Sequence, residues 1–124
     1  MLLIIGGAYQ GKLDYATNRL PEQSVFTCSA DDPSFNADYQ IIDKFHLLVL
    51  AQLRADIDTL DWIEQNTELL NGKTIIADDI NSGVVPIEAE MRRWRELLGR
   101  SLGLLTRQAD EVVRLFCGIP TRLK

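Results

Sequence analysis

The residues Gly6-Gly7-Ala8-Tyr9-Gln10-Gly11-Lys12-Leu13 have the spacing G-x-x-x-x-G-K and directly follow the apolar run Leu2-Leu3-Ile4-Ile5. The chemistry of that spacing is phosphate binding. A strand that ends, turns on glycines and opens a helix presents backbone N–H groups to a polyphosphate, while the lysine reaches its outer oxygens. Gly6, Gly7, Ala8, Tyr9, Gln10, Gly11, Lys12 and Leu13 are therefore the candidate nucleotide-binding residues, for ATP or GTP. One part of the motif differs. A loop that works with Mg2+ has Ser or Thr after the lysine, and here that position is Leu13. The plainer reading of the same residues is a tight strand-to-helix connection in which the glycines serve only the turn. Tyr9 is placed either to stack on a ligand or to shield the loop.

Two acidic segments are candidates to complete such a site. Asp43 ends the apolar stretch 39–43, the position from which a carboxylate holds Mg2+ or its bound water in phosphate-loop proteins. Its alternative use is to cap the following helix. Asp78 and Asp79 follow another apolar run and suit metal binding, orientation of a substrate hydroxyl or general-base work, or else an ordinary polar loop. His46 is the single histidine. It supports no metal cluster and suits either a phosphate contact or a local hydrogen bond at a strand-to-helix junction.

The elements that must position these residues follow from periodicity and breakers. Strands are expected over 2–5, 24–28, 39–43, 73–77 and 111–117, with a short antiparallel edge over 121–124 after a turn at Gly118-Ile119-Pro120. A first helix opens in the glycine loop and ends near Leu20-Pro21, because proline disfavours helical geometry in the residue before it. Helical spacing recurs at Leu47, Leu50, Ala51 and Arg54, and again from Leu60 to a stop at Asn71-Gly72. Residues 29–37 and 78–86 read as loops. A long amphipathic helix over 87–109 carries an apolar stripe at Met91, Trp94, Leu98, Leu102, Leu105 and Ala109. Alternation of strands and helices predicts one α/β domain over 1–124, with a mainly parallel sheet flanked by helices. In such a sheet ligands bind beyond the C-terminal strand ends, so the glycine loop, Asp43 and the Asp78-Asp79 segment should converge there.

The bulk composition excludes some partners. The chain has 124 residues, 46% of them apolar, and a net charge of −5, with a pI near 4.8. That balance argues against general attraction to nucleic acid or anionic membrane. Without a basic leader or an apolar run near the roughly 20 residues that span a bilayer, a cytoplasmic protein is expected. Cys28 and Cys117 lack C-x-x-C spacing and lie in apolar runs, which predicts reduced core residues. Charge is divided along the chain. Residues 1–91 hold 5 basic and 15 acidic side chains, hence −10, and residues 92–124 hold 8 basic and 3 acidic, hence +5. The C-terminal cations suit either phosphates or ion pairs within or between subunits.

Taken together, the glycine loop, the Asp43 segment and the C-terminal third resemble the bifunctional adenosylcobinamide kinase and adenosylcobinamide-phosphate guanylyltransferase family of cobalamin biosynthesis. The family loop G-G-A-R-S-G-K-S shares five of eight positions with residues 6–13. Ile42-Asp43-Lys44-Phe45-His46-Leu47 is similar to its V-D-C-L-T-L segment, and residues 78–86 to its N-E-V-G-x-G-I-V-P. Arg93-Trp94-Arg95-Glu96-Leu97-Leu98-Gly99-Arg100 resembles R-x-F-R-D-L-x-G-R, Ala109-Asp110-Glu111-Val112 resembles A-D-E-V, and residues 118–124 resemble G-I-P-x-x-L-K. The family's H-x-x-x-R-P segment, which supplies a guanylylated histidine, has no counterpart here. The resemblance implies a P-loop, RecA-like fold and a homo-oligomer. It further implies phosphoryl transfer from a nucleotide to a corrinoid hydroxyl, with the guanylyltransferase half lost. Lys12, Asp43 and Asp79 are the catalytic candidates, with Asp43 on Mg2+ and Asp79 toward the corrinoid. The other function class is a catalytically inactive paralogue that binds nucleotide in an assembly or regulatory role.

Overall fold

The computed structural model describes residues 1–79 and 88–124. The loop expected over 80–86 and the helix start expected at Ile87 lie outside the described residues. The elements are β1 (Leu2–Gly6), α1 (Lys12–Arg19), β2 (Val25–Thr27), β3 (Ile41–Asp43), α2 (Phe45–Arg54), α3 (Thr59–Gln65), α4 (Thr67–Leu70), β4 (Thr74–Asp78), α5 (Ala89–Gln108), β5 (Glu111–Phe116) and β6 (Ile119–Arg122). This is the expected α/β arrangement. Six strands form one sheet in the order β2-β3-β4-β1-β5-β6. The first five are mutually parallel, and β6 runs antiparallel to β5.

Parallel strands covered on both faces must be apolar at successive positions, and β1 shows it. Leu3 joins one core cluster with Ile42, Ile75 and Val112, while Ile4 joins a second with Ile41, Ile76 and Val113. The first face is roofed by α2, α3 and α5 through Phe45, Leu48, Ile63, Leu98, Leu102 and Leu105. Among the described residues the second face is covered by α1, through Ala16 with Tyr15 packed beside it. The stripe expected along α5 faces the core as its three-to-four spacing requires, with Leu98 and Leu105 fully buried. Among the described residues, no helix is long and apolar enough to cross a membrane.

Several boundaries differ from the sequence expectation for local reasons. The helical span after Leu60 is two helices, because Asn66 caps the end of α3 with its Nδ2 donating to the Trp62 carbonyl at 2.7 Å. Residues 28–40 join β2 to β3 without a helix. Buried Lys73 pins that segment, its Nζ donating to the carbonyls of Ala37 at 2.7 Å and Tyr39 at 2.6 Å. The last turn falls earlier than expected. Phe116 pairs with Ile119, so Cys117 and Gly118 form a two-residue turn with φ of 50° and 76°, the left-handed pair of a type I′ hairpin. Pro120 then sits on the open edge strand, where its missing N–H breaks no ladder. Cys117 is accordingly exposed at a turn rather than in the core, whereas Cys28 is buried. Burial pushes the Cys28 thiol up to about 12.

Two glycines give a direct check of this packing. A Cβ on Gly6 would lie 2.6 Å from the Leu115 carbonyl oxygen of the neighbouring strand, whereas one on Gly103, within α5, would meet nothing within 4 Å. Gly6→Ala should cost about 2 kcal/mol, because the strand carbonyl cannot withdraw without disturbing its ladder. Gly103→Ala should gain about 0.5–1 kcal/mol of helix propensity. Urea denaturation midpoints read both, and equal effects at the two sites would contradict the packing.

Candidate functional site

Three strand ends and two helix starts meet at one edge of the sheet. Beyond the C-terminal ends of β1, β3 and β4 lies a cavity of about 510 Å3, whose lining includes Ala8 to Asp14, Asp43, Lys44, His46, Leu47 and Asp78. α1 begins there from Gly11, at φ 86°, and α2 from Lys44, at φ 57° and ψ 44°. Neither helix start has a side-chain cap. Their first-turn N–H groups and the positive ends of both helices therefore bear on the same space.

Lys12 is the buried centre of this edge, only 7% exposed. Its Nζ donates to the Gly7 carbonyl at 2.5 Å and pairs with Asp78 Oδ1 at 2.8 Å. The glycine turn thus folds back on its own lysine, and that lysine is tied to the end of β4. Asp78 stands in the ladder, one position further than the strand expected over 73–77. Its backbone N–H donates to His46 Nδ1 at 3.0 Å, which puts the imidazole proton on Nε2, 3.5 Å from Asp78 Oδ2. Trp94 reaches from α5 to donate its indole N–H to the His46 carbonyl at 2.8 Å. Burial, the largest influence, holds His46 below its ordinary pKa of 6.5, against the raising effect of Asp78.

Asp43 is also buried, with Oδ1 accepting the Lys44 N–H at 2.9 Å. Burial raises its carboxyl pKa above the ordinary 3.8, while that hydrogen bond and the charges of Lys44 and Lys12 pull downward. Lys44 is exposed at the cavity wall. Tyr9 stands fully in solvent at φ 60°. Gln10 turns the other way, its backbone carbonyl accepting the Gly118 N–H at 3.0 Å and its Oε1 accepting the Cys117 N–H.

Of the residues expected from sequence, the structure brings Lys12, Asp43, Asp78 and Ala8 to Leu13 into one cavity. Gly6 and Gly7 support the turn from behind through their carbonyls, which accept from Asp79 N–H at 2.7 Å and from Lys12. Asp79 lies beside Gly6 and does not line the cavity. Sequence reasoning did not pair Asp78 with Lys12, left His46 between a phosphate contact and a junction residue, and did not single out Lys44. The adjacency of Lys44 to Asp43 at a strand-to-helix junction was the available signal. None of the eight C-terminal cations lines the cavity. Several are engaged elsewhere, Arg100 with Glu96 at 2.8 Å and Lys124 with the Thr106 carbonyl at 3.0 Å.

Among the described residues the donor set does not fit a resident Mg2+. Leu13 offers no oxygen where a hydroxyl ligand belongs, and Asp78 is committed to Lys12 and His46. Asp43 is left with one uncommitted oxygen, on a carboxyl whose charged form burial disfavours. Among the described residues no group of three or more His, Cys, Asp or Glu side chains is placed to hold a metal ion. No protein-family model matches the chain, and no curated protein matches it.

His46 makes the electrostatics measurable, since it is the single histidine. Its NMR titration should give a pKa below 6.5, set by burial; a value at or above 6.5 would contradict the described packing. The sign for stability follows. Below pH 6.5 the unfolded chain binds a proton that the folded site refuses, so stability present above that pH is lost as pH falls through the folded value. Asp43, whose pKa is raised, acts oppositely, adding stability at low pH that is lost as pH rises through its folded value. Comparison with His46→Asn, which keeps an acceptor near Nδ1 but does not titrate, isolates the histidine contribution.

Proposed function

We propose that this chain is a P-loop nucleotide-binding protein of RecA-like type that takes the phosphates of ATP or GTP into the cavity around Lys12. The observation that carries this reading is the convergence of a G-x-x-x-x-G-K turn, its buried lysine and two uncapped helix starts on one space at the C-terminal edge of a parallel sheet. On binding, the phosphate oxygens exchange places with Asp78 and the Gly7 carbonyl as partners of the Lys12 ammonium. Backbone N–H groups of the turn and of the first turn of α1 supply the remaining donors.

The family resemblance extends the reading to a short, divergent, cytoplasmic and homo-oligomeric relative of the adenosylcobinamide kinases. In that role the corrinoid hydroxyl oxygen attacks the γ-phosphorus and gives up its proton, the bridging oxygen leaves with the nucleoside diphosphate, and Asp79, beside Gly6 and outside the phosphate cavity, stands on the corrinoid side. Positioning and charge neutralisation supply most of the catalysis in such a transfer. A second reading is favoured by one specific observation. Leu13 lines the cavity where the metal-ligating hydroxyl belongs, which supports a nucleotide-binding assembly or regulatory protein without turnover.

Calorimetric titration with ATP and GTP tests the common element of both readings. Lys12→Ala should weaken binding by at least about a hundredfold while far-UV circular dichroism keeps the wild-type shape. Unchanged affinity in this variant would remove the phosphate site. Transfer of phosphate to cobinamide, followed by chromatography of the product, separates the kinase from the non-catalytic protein.

A further inference from the structure

We propose that Lys44 takes the place of a divalent cation at this site, so that the chain grips a nucleoside di- or triphosphate between Lys12 and Lys44 without a metal. This rests on the nucleotide-binding reading above and adds to it the residue that completes the phosphate site. The two lysines stand differently toward the cavity. Lys12 is buried and already neutralised by Asp78 at 2.8 Å. Lys44 is exposed at the cavity wall, and among the described residues no carboxylate forms an ion pair with its ammonium. Its backbone N–H is committed to Asp43 Oδ1, which anchors the side chain at its root, and its charge acts on both Asp43 and His46.

The position is unusual for a lysine. Lys44 holds φ 57° and ψ 44°, a left-handed conformation that glycine or asparagine adopts at much lower cost. Local turn geometry alone would favour one of those residues. What lysine adds there is a positive charge at the start of α2, directed at the cavity that α1 also faces. A metal in a phosphate site bridges phosphate oxygens and neutralises charge as it accumulates. Here the residue after Lys12 is Leu13, whose side chain cannot ligate a metal, while Lys44 lines the same cavity with its charge acting on Asp43, the acid that would hold one. An ammonium supplies that neutralisation with three donors and needs no ligand shell.

The test is calorimetry of the whole chain with ATP and GTP, in EDTA and again in excess Mg2+, for the wild type, Lys44→Gly and Lys44→Arg. Glycine accepts the left-handed backbone, so Lys44→Gly removes the charge and relieves strain in the same step. The wild type should bind in EDTA within about threefold of its affinity in Mg2+. Lys44→Gly should lose at least about tenfold and show a shallower dependence on salt, and Lys44→Arg should stay within about threefold of wild type. Wild-type binding that requires Mg2+, or wild-type affinity in Lys44→Gly, overturns the role of Lys44 and leaves the nucleotide reading standing. Absence of binding with and without Mg2+ overturns the nucleotide reading, and the role of Lys44 with it.

Discussion

The site depends on one contact, the pairing of a buried ammonium at the start of α1 with a carboxylate at the end of β4. A buried lysine charge is costly unless paired and hydrogen-bonded, and Lys12 has both an ion pair and the Gly7 carbonyl. These contacts fix more than one side chain. They close the glycine turn on itself, set the first turn of α1 against the sheet, and hold Asp78 in the ladder so that its N–H faces His46. Through His46 the constraint reaches α2, and through the Trp94 indole it reaches α5. A chain of polar contacts thus crosses from α1 on one face of the sheet to the helices roofing the other.

Layer asymmetry explains why such a contact belongs at this edge. α2, α3 and α5 cover one face with large fully buried side chains, and their positions follow from apolar packing alone. Among the described residues the other face has only α1, whose buried positions are Lys12 and Ala16. With Ala16 buried and only Tyr15 and Leu20 packed partly against the same cluster, α1 is held less by apolar burial than α5, which buries Leu98, Leu102 and Leu105. Its anchors are polar: Lys12 to Asp78 at one end, and Arg19 to Glu111 at 2.5 Å at the other. The outer pair is a bidentate guanidinium–carboxylate contact at a partly exposed place, and Lys12 is the buried one of the two anchors. A ligand that draws Lys12 away from Asp78 must replace that anchor with its own oxygens.

The sequence displayed what depends on local pattern and concealed what depends on distance. Strand runs such as Leu2-Leu3-Ile4-Ile5 and the stripe Leu98, Leu102, Leu105 were legible because burial on a sheet or helix imposes a period. Asp43 at a strand end and Lys12 after the second glycine were legible because a turn fixes them relative to the backbone. The break at Asn66 was not, since the apolar positions on either side stay in phase across it. Placement of Cys117 failed for a related reason. An apolar run marks a strand but not where a hairpin interrupts it, and the Cys117-Gly118 turn exposes Cys117 although Val112, Val113 and Leu115 of the same run are buried. The α/β topology placed the glycine loop and the Asp78-Asp79 segment at one sheet edge, but spacing within either segment does not show that Lys12 pairs with Asp78. Lys44 was hidden by a different cause, because its significance lies in a backbone conformation that its own residue type does not favour.

That conformation belongs to a local pattern in the described residues. Non-glycine residues with positive φ are Tyr9, Lys44, Asp56 and Cys117, and three of these four surround the site. Tyr9 and Lys44 line the cavity, and Cys117 donates its N–H to Gln10 within the glycine turn. Each costs on the order of 1–3 kcal/mol relative to relaxed backbone, and such residues persist only where surrounding contacts over-determine them. Here the contacts are identifiable: Lys12 closes the turn from inside, Gln10 ties it to the β5–β6 hairpin, and Asp43 holds the Lys44 amide. A turn kept only to connect a strand to a helix would relax by local substitution, glycine at 9 or asparagine at 44. Strain held by these clamps around one cavity is what the proposed phosphate site requires, since it would aim the donors before a ligand arrives.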